Sequence, residues 1–95
     1  YSRRAWLKKK FGLTEQAWAE MYERQGGACA ICGRTDSAVD GRRLAVDHDH
    51  RSGQIRGLLC ARCNLGIGQF DEDVGLLTRA MGYISTSLIS TVLEA

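Results

Sequence analysis

The four cysteines of this 95-residue chain fall into two C-x-x-C pairs, Cys29/Cys32 and Cys60/Cys63, with 27 residues between the pairs. Two thiolates from each pair can close a tetrahedron around Zn2+. Disulfides are the first rival, and four cysteines allow three connectivities. No charged-then-apolar leader opens the chain, so nothing argues for secretion or an oxidising compartment. A redox pair is the second rival, and it accounts for one C-x-x-C but not for two. A site of four protein thiolates leaves no open position for substrate, so the expected zinc is structural. Any fold for this chain must therefore bring residues near 30 and near 60 together.

Composition adds limits. Apolar residues make up 44% of the chain and charged residues 25%, which suits one globular domain and excludes a disordered or low-complexity segment. No apolar run approaches the roughly 18 residues that a membrane span requires. The expectation is a single domain over 1–95, with no membrane partner and a cytoplasmic location. The net charge is +2 but unevenly spread: residues 1–62 carry +5 and residues 63–95 carry −3. A basic front suits a polyanion such as a nucleic acid, or else is a solvated face with no partner.

Along the chain, residues 1–10 read as a basic arm, frayed or helical, with Lys8, Lys9 and Lys10 consecutive and Trp6 and Leu7 interleaved. Thr14 suits a helix N-cap with Glu15 in the first turn, and Leu13 and Trp18 stand at the positions of a hydrophobic staple. Trp18, Met21 and Tyr22 continue an apolar stripe that reads as core, and Gly26-Gly27 ends that helix. Residues 44–46 and 54–59 read as the strands of a hairpin whose connection, 47–53, is unusually polar. From 71 to 94 a longer helix is expected, with Asp71, Glu72 and Asp73 at its positive end. Its apolar stripe through Val74, Leu77 and Met81 reads as core in the first half. Further on, through Leu88 and Val92, it suits core or a dimer contact, so a homodimer is left open.

Both histidines lie in Asp47-His48-Asp49-His50. Alone, this run is weak and fits a solvated turn. It gains weight because it lies between the two halves of the cysteine site. Asn64 directly follows the last cysteine on the next helix. The carboxylate of Asp47 and the amide oxygen of Asn64 are hard donors suited to Mg2+, which keeps part of its water. His48 beside such an ion can take a proton from water near neutral pH. These are the parts of a phosphodiester hydrolase. Asp49 reads as a hydrogen-bonding residue, His50 as a phosphate-orienting or loop-supporting one, and Arg51 and Arg56 as backbone-phosphate contacts.

Four stretches carry a resemblance: residues 11–16, 25–33, 44–50 and 56–64, that is FGLTEQ, QGGACAICG, LAVDHDH and RGLLCARCN. In this order and spacing they resemble the phage recombination endonuclease VII family, within the HNH or His-Me finger nucleases. The resemblance implies an α+β fold: a small zinc-stapled ββα-metal (His-Me finger) domain over 11–70, with a flanking N-terminal helix and C-terminal helices from 71 to 95. It implies zinc on Cys29, Cys32, Cys60 and Cys63, and His48 as general base. Asp47 and Asn64 would hold a catalytic Mg2+ or Mn2+, and His50 would be a second active-site histidine. The implied activity is metal-dependent cleavage of DNA to 5′-phosphate ends in a bacterial host or phage-infected cell. One turn after Asn64 stands Ile67, so no further carboxylate reaches the ion from there. The tail from Tyr83 onward matches no family pattern. Nicking or low-specificity double-strand cleavage is expected, with branched DNA as a possible further substrate. The competing readings are a non-catalytic zinc-stabilised nucleic-acid-binding module and a protein-interaction domain built on the C-terminal helix.

Overall fold

The computed structural model describes residues 3–86, in the order α1 (Arg3–Phe11), α2 (Glu15–Arg24), β1 (Ala45–His48), β2 (Ile55–Leu59), α3 (Ala61–Gln69) and α4 (Val74–Ser85). Helices and one two-stranded antiparallel sheet make a mixed architecture. The chain divides into two compact units, Tyr1–Asn64 and Leu65–Ala95, and α3 runs across the division.

In the first unit the basic arm is a helix, α1. Leu7 is its fully buried anchor, and the Gly12 N–H closes it on the Lys8 carbonyl. The α2 start follows its sequence signal: the Thr14 side chain accepts a hydrogen bond from the Ala17 N–H at 3.0 Å. Leu13 and Trp18 are both buried beside that cap, where a staple places them. The α2 end is a Schellman closure, with Gly26 N–H to Glu23 and Gly27 N–H to Tyr22. Gly26 sits at φ +68, a conformation costly for a residue with a Cβ.

The hairpin pairs Ala45 with Leu59, Val46 with Leu58 and Asp47 with Gly57. Its register then slips, and His48 faces Ile55, so Arg56 is the extra residue of a β-bulge. The buried apolar side chains include Leu7, Leu13, Trp18, Leu44, Val46, Leu58 and Leu59. Cys29 and Cys60 are buried with them, so the cysteine cluster borders this core.

In the second unit the expected helix start moves from 71 to 74. Asp71 and Glu72 both take left-handed backbone, at φ 55 and 54. Their N–H groups bond back to Gly68 and Ile67, so they close α3. Asp73 is the true N-cap of α4, accepting from the Leu76 N–H at 2.9 Å. The expected core role for the first half of this helix is also corrected. Val74 is 76% exposed, Met81 64%, and no α4 residue is buried. The stretch through Leu88 and Val92 lies outside the described residues.

Candidate functional site

The chain delivers its cysteines from two places. Cys29 and Cys32 sit in the loop after α2, where the Gly33 N–H bonds the Cys29 carbonyl at 3.0 Å and the Ala30 N–H bonds the Leu58 carbonyl at 3.1 Å. The second of these bonds ties the loop to β2. Cys60 and Cys63 stand where β2 passes into α3. Ligand atoms of all four lie within 4.8 Å of one another. Cys32 Sγ and Cys60 Sγ are 3.7 Å apart. A tetrahedron with Zn–S bonds of about 2.3 Å has edges of about 3.8 Å, so the donor set and its spacing fit such an ion.

The electrostatics point the same way. Burial opposes ionisation of Cys29, but the N–H groups of Cys32, Cys60 and Ile31 outweigh it and hold the thiol down to about 6. Cys63 is pushed up to about 12 by burial and by the sulfurs of Cys60, Cys32 and Cys29. Sulfurs this crowded cannot all ionise without a cation among them.

The polar run occupies the end of β1 and the turn beyond it. Asp47 is buried on the strand and His48, its last residue, is half-buried. Arg56 Nε lies 2.8 Å from Asp47 Oδ2 and its Nη2 lies 3.0 Å from Oδ1, a two-pronged pair. In a regular hairpin Arg56 would project to the face opposite Asp47 and Gly57. The bulge turns it back. The His48 ring lies 4.8 Å from that of His50 and 5.6 Å from that of Phe11, centroid to centroid.

Asp49 closes the turn. Its Oδ1 accepts the N–H groups of Arg51 at 2.7 Å and Ser52 at 3.2 Å. Those bonds, that of Arg51 first, hold its carboxyl below the usual carboxylate range. This agrees with its reading as a hydrogen-bonding residue. Asn64 is half-buried in the first turn of α3, and its N–H bonds the Cys60 carbonyl at 3.0 Å.

Three contacts of this region escaped the sequence reading. Arg56, read there as a backbone-phosphate contact, grips Asp47, and the slip that turns it has no local sequence signal. Phe11 reaches His48 across 37 positions, which no periodicity reveals. Gln25 is the third. Its amide Nε2 donates to Ala28 O at 2.8 Å and Leu58 O at 2.9 Å, and its Oε1 accepts from the Leu58 N–H at 2.8 Å. The side chain thus stands in for a third strand beside β2. Gly57 permits this approach, since a Cβ there would meet Gln25 Oε1 at 2.9 Å.

Comparison with known proteins adds lineage to this geometry. Over 75 residues the chain is 43% identical to the Gene 59 protein of Mycobacterium phage D29 and 40% identical to that of Mycobacterium phage L5. Each alignment covers 78% of this chain and 44% of the relative, so the chain spans less than half the length of these relatives. No solved structure matches. Residues 4–86 match the family described as recombination endonuclease VII, a stretch that holds all but the first residue of α1, both cysteine pairs and the whole hairpin. The chain belongs to the recombination endonuclease VII family.

Proposed function

We propose that this chain is an HNH-type, divalent-metal-dependent DNA endonuclease domain with a structural zinc on Cys29, Cys32, Cys60 and Cys63. The observation that carries the reading is the setting of His48: it ends β1 next to buried Asp47, and the cysteine cluster joins that hairpin to the helix bearing Asn64.

In this scheme His48 takes a proton from water, and the resulting hydroxide attacks phosphorus as the bond to the leaving 3′ oxygen breaks. Asp47 and Asn64 would hold Mg2+ or Mn2+ through oxygen. Each Asp47 oxygen keeps a lone pair beyond the one Arg56 uses. Such an ion, when bound, would supply charge stabilisation at the phosphoryl group and the leaving oxygen. Arg56 fixes the angle of the Asp47 carboxylate. Exposed Arg51 and the lysines of α1 meet backbone phosphates, and His50 orients the phosphate beside His48.

The test is one gel: supercoiled plasmid, linear duplex and a four-way junction, each with Mg2+, Mn2+ or chelator. Nicked plasmid with either ion and intact plasmid with chelator are expected. Salt-sensitive binding of all three DNAs with no cleavage in any ion would instead make the chain a non-catalytic nucleic-acid-binding module.

A further inference from the structure

The geometry points to Phe11 as a positioning residue for His48, and so to α1 as part of the catalytic apparatus as well as a basic arm. This inference rests on the reading of His48 as the base. A side chain at the end of a two-stranded hairpin is free to swing, and a general base must hold its place to within a fraction of an ångström. Two rings lie against the His48 imidazole. Phe11 lies at 5.6 Å and 59°, and His50 at 4.8 Å and 49°.

Phe11 is itself held. It is the last residue of α1, four positions after the fully buried Leu7, with the Gly12 N–H bonded back to Lys8 and the Leu13 N–H to Leu7. Its ring makes a T-shaped contact with Trp6, 5.5 Å between centroids and 83° between planes. Lys10 Nζ lies over both rings, 5.2 Å from the Trp6 centroid and 5.4 Å from that of Phe11. A ladder of rings, Trp6–Phe11–His48–His50, therefore runs from the lysine-bearing helix to the candidate base. A strand of DNA drawn onto the lysines of α1 meets a helix end that already fixes the imidazole. Binding and base placement share one rigid element.

The test uses the zinc-loaded chain with Phe11→Leu, which keeps apolar bulk but removes the ring, and Phe11→Tyr, which keeps the ring. Phe11→Leu is expected to lower kcat for plasmid nicking about ten-fold or more, with KM changed less than about two-fold. Phe11→Tyr is expected to rescue kcat to within about three-fold of wild type. The His48 ring protons, read by NMR, should shift in Phe11→Leu by the loss of the Phe11 ring current, with the His50 contribution remaining, and stay near their wild-type positions in Phe11→Tyr. Unchanged kcat in a folded Phe11→Leu protein would overturn the inference, as would a loss confined to KM or an undisplaced His48 signal in wild type. Wild-type protein that cuts no DNA in either ion would remove His48 as a base, and this role with it. The unchanged-kcat result leaves the nuclease reading standing, so the two failures are distinct.

Discussion

Arg56 and Asp47 form a two-pronged ion pair, 2.8 and 3.0 Å long, made possible by a one-residue slip in the hairpin register. The carboxylate is almost buried while the guanidinium is 39% exposed. Removing the arginine leaves a buried charge with less compensation. Because water reaches the arginine side, the cost is below that of a fully buried pair. Arg56→Met should lower stability by about 1–2 kcal/mol in urea unfolding of zinc-loaded protein. Arg56→Lys should recover less than half of that, since an ammonium cannot match both oxygens. Full recovery by lysine would show that charge alone matters at this position.

The cysteine cluster makes a prediction about protons. Without zinc the Cys63 thiol is mostly protonated at pH 7.5, whether it is crowded by the other sulfurs, which push it up to about 12, or is in an unfolded chain with an ordinary thiol near ~8.5. Zinc uptake at pH 7.5 must therefore expel its proton, and calorimetric heats should vary with the ionisation enthalpy of the buffer. The sign is that zinc affinity rises with pH through the neutral range. Cys60→Ser should unfold the first unit, because its core borders the cluster. Buffer-independent heats, or a folded zinc-free Cys60→Ser protein, would contradict this.

Gln25 links α2, the first cysteine loop and β2 through three hydrogen bonds. Gln25→Ala leaves the backbone groups of buried Leu58 without these bonds and should cost about 2–4 kcal/mol. Gln25→Glu should do no better, because it sets carboxylate oxygens against the Ala28 and Leu58 carbonyls. Gly57→Ala should destabilise as well, through contact with the same amide. Chemical denaturation of the three variants measures each effect.

The turn after β1 carries its own pH dependence. The Asp49 carboxyl is lowered in the fold by the N–H groups of Arg51 and Ser52. Its contribution is therefore complete above the unfolded value of about 3.9 and is lost as pH falls through the lower folded value. The amide shifts of Arg51 and Ser52 should titrate together with a midpoint below that figure. In Asp49→Asn they should stay flat while the turn persists. A wild-type midpoint at or above the ordinary carboxylate value would refute the assignment.

Much of the first unit was legible because its signals are local. Thr14 announces a cap, Leu13 and Trp18 a staple, and Gly26-Gly27 a stop, and each acts over five residues or fewer. The cysteine pairs were legible for a different reason: four soft donors have few uses, so their spacing constrains a long-range contact. What escaped were contacts set by register and by the meeting of distant elements. The bulge that turns Arg56 onto Asp47 depends on how β2 lies against β1. The Gln25 bridge and the Phe11–His48 contact need the folded unit to exist first. Asp71 and Glu72 misled because carboxylates suit a helix start, while here their backbone closes the preceding helix and Asp73 takes the cap. The apolar stripe of α4 has a helical period, but a period says which face is apolar and not that the face is covered.

The measurement that bears most directly on the whole account is plasmid nicking by His48→Ala in Mg2+, with zinc content and thermal midpoint recorded on the same sample. The account predicts zinc bound at one ion per chain, a midpoint close to wild type, and cleavage reduced by a factor of at least about 100. Wild-type cleavage by a zinc-loaded, folded His48→Ala protein would contradict it.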